Sequence, residues 1–133
     1  TVLYNWTDDE SNIFYPVFKR HMEELREACT ESGRPLSLIP LPKPENSAYS
    51  TLNTSTRPPF QVAASLASYA NFYIANNLVL VPVYEDINDA RAKSIIAEHF
   101  PDREIIGLPT NVLADMGGMM HCVTQQQPLI IGE

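Results

Sequence analysis

Apolar residues change spacing several times along the chain, and each change marks an element. Residues 1–6, Thr-Val-Leu-Tyr-Asn-Trp, are β-branched and aromatic and predict a strand. The polar stretch 7–12 offers capping side chains to a helix beginning near residue 12. Over residues 12–32, Phe14, Phe18, Met22, Leu25 and Cys29 recur every three or four positions, the spacing of one helical face. Pro16 suits only the first turn of that helix, and Gly33 is its natural stop. Cys29 falls on the apolar stripe and is read as core, with His21 beside it as a boundary side chain. Residues 36–41 read as a second strand that ends in prolines.

Residues 42–59 are rich in Pro, Ser, Asn and Thr and predict a long loop, either functional or a plain surface linker. The second half is more regular. Residues 68–76 predict a strand, Asn76-Asn77 a turn, and 78–83 a continuously apolar, doubly buried strand. Asn71 in the middle of the first of these needs hydrogen-bond partners, and a structural role is favoured there over substrate contact. Asp86 or Asn88 can cap a helix over 89–100, whose apolar face is Ala92, Ile95, Ile96 and Phe100. His99 in its last turn is explained by the helix dipole. A strand at 104–108, a short helical turn at 109–114 and an extended segment over 118–124 complete the order.

Net charge is −7 with a pI near 4.8, which speaks against a nucleic-acid or anionic-membrane partner and is compatible with a cationic substrate. Two cysteines make no disulfide framework, and no apolar run reaches the roughly 20 residues of a membrane span. The expected compartment is the cytoplasm. The chain opens mid-strand without Met and is read as a piece of something longer.

The richest chemistry lies in residues 115–128, Asp-Met-Gly-Gly-Met-Met-His-Cys-Val-Thr-Gln-Gln-Gln-Pro. Gly117 and Gly118 allow a close approach and are candidate substrate-binding positions. Val123 and Thr124 favour an extended chain that Pro128 ends. On such a strand His121 points away from Cys122, while Met120 and Thr124 share the thiol's face. That geometry makes His121 a poor base for the thiol and a poor co-ligand, so no metal site is assigned. A free cysteine is ordinarily core, but a thiolate in a polar, open setting is a strong nucleophile.

Gly-Gly-x-x-His-Cys-Val-Thr-Gln-Gln-Gln-Pro resembles the C-terminal signature of agmatine deiminases, within the Porphyromonas-type peptidylarginine deiminase family. The family pattern has three glycines and then an Asn-like position; here Met116 replaces the first glycine and Met119 the Asn. Ser68-Tyr69-Ala70-Asn71-Phe72 is a second point of likeness, and the resemblance runs from the Asp-Asp-Glu-Ser-Asn stretch to the final Gln-Gln-Gln-Pro.

The resemblance implies an α/β (α+β) fold of the pentein type, in which five ββαβ units surround a channel. This chain would supply about two: 1–42 the end of one unit, 43–67 a loop, and 68–128 the last unit. It also implies hydrolysis of a guanidinium group through a covalent amidino-cysteine on Cys122, with no cofactor. Agmatine is the expected substrate; arginine and peptidyl-arginine are competitors, and the Gln-Gln-Gln-Pro tail disfavours an amidinotransferase. The base and the guanidinium-binding carboxylates would come from the remaining propeller units, outside this chain. A non-catalytic pentein-like binding domain is the alternative, supported by Met116 and Met119.

Overall fold

The computed structural model describes residues 1–45, 67–115 and 118–128. Within them the protein is a mixed α/β structure with two small sheets. Strand β1 (Val2–Trp6) pairs in parallel with β2 (Leu38–Pro42), and helix α1 (Tyr15–Glu27) makes the crossover between them. The second sheet has the order β3-β4-β5, from β3 (Tyr73–Ile74), β4 (Leu78–Val83) and β5 (Glu104–Pro109). β3 and β4 are an antiparallel hairpin through Asn76-Asn77, while β4 and β5 are parallel and joined by helix α2 (Asp89–His99). This is the expected ββαβ order, because a parallel pair requires a crossover and an antiparallel pair needs only a turn. The sheets stay open among the described residues.

One core joins the two halves. Leu41 of β2 clusters with Tyr69, Val79, Val81, Tyr84, Ala92 and Ile96, all fully buried, and α2 packs on both β2 and β5. Gly107 of β5 lies close against its neighbours. A Cβ there would lie 3.0 Å from Val83 Cγ1 and 3.2 Å from Lys93 Cδ. Lysine can swing aside but the valine methyl cannot, so Gly107→Ala is expected to lower stability by roughly 1–2 kcal/mol. Urea unfolding that returns an unchanged midpoint would contradict this packing.

Several expectations need correction. Helix α1 starts at Tyr15, not at residue 12, because Asp9 and Asn12 use their carboxylate and amide oxygens to accept the Ser11 and Phe14 N–H groups in local turns. It ends at Glu27, so Cys29 lies outside it and is exposed rather than core. There Cys29 forms an antiparallel bridge with Pro35, and Gly33, at φ +75°, serves the turn between them instead of the helix end. His21 is exposed on α1, and no α1 residue is fully buried. Strand β2 begins two residues later than expected. Asn88 is the N-cap residue of α2 but makes no capping bond; the Asp89 carboxylate instead accepts the Tyr84 and Asp86 N–H groups. The expected loop over 42–59 falls largely outside the described residues, which resume at Ala67.

Candidate active site

Helix α3 (Asn111–Asp115) follows β5, and the chain returns at Gly118, whose N–H donates to the Leu113 carbonyl at 2.9 Å. Met119 and Met120 then turn inward and are buried, at 4% and 5% exposure. The expected strand over 118–124 does not form. His121–Val123 is a single 3-10 turn, with Val123 N–H donating to Met120 O and Thr124 N–H to His121 O, each at 3.2 Å. The Thr124 hydroxyl donates to the same His121 carbonyl at 2.9 Å. With the two methionines held in the core and, among the described residues, no strand paired with this segment, the backbone satisfies itself locally. Met120 is therefore buried while Cys122 is exposed, so the two do not share a face.

The tight turn presents the Cys122 thiol to solvent beside the Asn71 side chain. The Asn71 amide oxygen accepts the His121 backbone N–H at 2.8 Å. That bond orients the amide, leaving Nδ2 to face Cys122 Sγ at 3.5 Å. An amide N–H at this position can donate to sulfur while the sulfur carries negative charge. Asn71 lies just before β3, not within a strand as expected, and both of its roles, holding backbone and meeting the thiol, come from that one position. The His121 ring turns instead toward Tyr73, with ring centroids 6.3 Å apart. His21 lies on α1 and His99 ends α2. Gly118 lies on the approach to the turn; Met116 and Gly117 lie outside the described residues.

The turn carrying Asn71 is pinned from both halves. Ser68 Oγ donates to Asn5 Oδ1 of β1 at 2.7 Å and accepts the Ala70 N–H at 3.1 Å. Tyr69 next to it donates its hydroxyl to the Asp89 carboxylate at 2.7 Å. Burial and this carboxylate push the Tyr69 phenol well above its ordinary value. An unfolded tyrosine ionises near ~10, so above that pH only the unfolded chain sheds this proton, and stability should fall as pH rises. A Tyr69→Phe variant should lose that part of the alkaline slope, which urea midpoints at pH 8 and pH 11 would register.

A cavity of about 750 Å³ opens at the C-terminal ends of β1 and β2, lined among others by Trp6, Asp8, Asp9, Lys43 and Arg91. Cys122 is not in its lining. Among the described residues no group of three or more His, Cys, Asp or Glu side chains is arranged to hold a metal ion, and no helix is long and apolar enough to cross a membrane.

The sequence profile of the Porphyromonas-type peptidyl-arginine deiminases matches residues 1–128. The chain belongs to that family. Among its relatives in the family, a provisionally named agmatine deiminase of Latilactobacillus sakei is 34% identical over 135 residues, covering 96% of this chain and 37% of its own. The solved agmatine deiminase of Enterococcus faecalis is 31% identical with a TM-score of 0.79, over 95% of this chain and 36% of that one. The agmatine deiminase of Campylobacter jejuni, solved with a cysteine replaced by serine and with substrate bound, is 28% identical with a TM-score of 0.71, over 92% and 32%. This member of the family thus spans about a third of the length of these relatives.

Sequence reasoning singled out Cys122 but ranked Asn71 as structural. Its closeness to the thiol depends on a contact across 51 positions of sequence. The available signal was a polar amide lodged in an otherwise aromatic and aliphatic run.

Proposed function

We propose that the intact protein hydrolyses the guanidinium group of agmatine to N-carbamoylputrescine and ammonia, with Cys122 as the nucleophile. The observation that carries this reading is an exposed thiol facing an amide N–H, inside the His-Cys-Val-Thr-Gln-Gln-Gln-Pro run of a deiminase family member. The guanidinium carbon is a poor electrophile because three nitrogens share its charge, and a soft thiolate suits it. Sulfur attacks that carbon, one nitrogen takes up a proton, and its C–N bond breaks to release ammonia. An amidino-cysteine remains. Water then adds to the same carbon, the C–S bond breaks, and the ureido product leaves as the thiolate is regenerated.

In this reading the chain supplies about two units of a five-unit pentein propeller, with 1–42 ending one unit, 43–67 as a loop and 68–128 as the last. The remaining units supply the proton-transferring histidine and the carboxylates that grip the cation. His121 is a poor source of that base, since its ring packs toward Tyr73. Gly117 and Gly118 are the candidate positions for close approach of the guanidinium, since glycine carries no side chain. The net charge of −7 accords with a cationic substrate, and the reaction is placed in the cytoplasm.

Ammonia release by the intact protein from agmatine, arginine and an arginyl peptide provides the test. We expect agmatine to be preferred at least tenfold in kcat/KM, a margin of about 1.4 kcal/mol. Preference for the peptide would overturn the substrate, and release from none would overturn the activity. Residues 1–133 alone are expected to be inactive, and steady turnover by them would refute the assignment of the base to other units.

A further inference from the structure

Two segments converge on Cys122, and both are tied to one buried atom. The Tyr84 hydroxyl, on a side chain with 0% exposure just after β4, accepts the Ser68 backbone N–H at 3.0 Å. It also lies 3.1 Å from the Ser68 carbonyl oxygen and 3.1 Å from Met119 Sδ. A phenol has one proton to give, and among the described residues the carbonyl and the weaker thioether are placed to accept it. From Ser68 the path to the thiol is short: its carbonyl accepts the Asn71 N–H at 3.3 Å, and Asn71 holds both the His121 N–H and the sulfur. From Met119 the path is covalent, three residues along the chain to Cys122 in the tight turn.

We propose that Tyr84 is a positioning residue for Cys122, its hydroxyl locking the 68–71 turn and the Met119 segment to each other beneath the thiol. The proposal rests on the reading of Cys122 as the nucleophile. Space-filling alone would not require the oxygen. The ring packs edge-on against Tyr69 at 5.4 Å between centroids, and a phenylalanine would fill the same volume. It is the hydroxyl that bridges two segments 51 positions apart in sequence, Ser68 and Met119. Without the bridge, the two segments can drift apart by fractions of an ångström. Misplacement of a reacting group on that scale lowers rates by about ten- to a hundredfold.

The test uses Tyr84→Phe in the intact protein, with 2-chloroacetamidine as a thiol probe and agmatine as substrate. The expected result is a Cys122 alkylation rate about tenfold lower, a similar fall in kcat and little change in KM, with Cys29 labelling unaffected. Unchanged Cys122 labelling and kcat would overturn the proposal, as would equal changes at Cys29 and Cys122, which indicate general loosening. Met119→Leu supplies an independent arm, since it removes the sulfur at nearly constant volume and severs one limb only. It should slow Cys122 labelling by a smaller factor, and the double variant should be no slower than Tyr84→Phe. An unaltered Met119→Leu, or additive effects, would overturn the shared node even if Tyr84→Phe does not fold. Failure of the wild-type protein to label Cys122 ahead of Cys29 would overturn both this proposal and the function beneath it. A normal wild type with an indifferent Tyr84→Phe overturns the positioning role alone.

Discussion

Cys122→Ala in the intact protein is expected to abolish the proposed release of ammonia from agmatine, with kcat reduced by at least about 10³-fold. The size follows from the chemistry. In the proposed reaction, loss of the sulfur means that no amidino-enzyme forms, and water must attack a charge-delocalised carbon directly. Binding groups outside the turn remain, so the substrate should still bind with an affinity near that of the wild type. Cys122→Ser is a stricter form of the test, because a hydroxyl at the same place is a far weaker nucleophile at neutral pH. Cys29→Ala is the control: that residue is exposed in the bridge with Pro35, and its removal should leave turnover intact. Retained activity in Cys122→Ala would show that the thiol is ornamental to the reaction.

Asn71 should rank next. Asn71→Leu keeps the volume but deprives the His121 N–H of its 2.8 Å acceptor and the thiol of the amide 3.5 Å away. We expect kcat to fall about 10²-fold, with roughly 1 kcal/mol of lost stability from the missing hydrogen bond. Asn71→Asp separates the two jobs. Its carboxylate still accepts the backbone N–H, so the turn and the stability should survive. The second oxygen, however, faces sulfur where an N–H donor stood, and two negative charges at that separation repel. The expected outcome is a stable, folded protein with kcat depressed as far as in Asn71→Leu. Full activity in Asn71→Asp would reduce the residue to a purely structural bond.

Particular residues show where pattern reading succeeded. The apolar runs behind β4 and β5 marked both strands, which pair in parallel; the double burial expected of 78–83 is only partial, since Val79, Val81 and Pro82 are buried while Leu78, Leu80 and Val83 are half-buried. The 3.6-residue spacing in α2 located its buried face, Ala92 and Ile96. The same reasoning ran past the end of α1. Spacing alone put Cys29 on the stripe, whereas the Thr30 and Arg34 backbone groups close a turn that takes the chain out of the helix. The 118–124 segment failed for a related reason. Val123 and Thr124 prefer extended angles, but a strand needs a neighbour, and two buried methionines commit the backbone to a tight turn instead.

Sequence by itself determined the elements that local physics decides: the ββαβ order of the second half, the hairpin at Asn76-Asn77, and a thiol set in a chemically unusual run of polar residues. Tertiary structure decided what stands next to that thiol. Asn71, Ser68, Tyr84 and Met119 lie far from Cys122 in the chain or are buried beneath it, and no periodicity encodes their meeting. They meet because the apolar faces of β4 and α2 can be buried in one arrangement only once Tyr69 and Tyr84 fill the core between them, and the hydrogen bonds of those rings then dictate where the turn carrying the sulfur must rest.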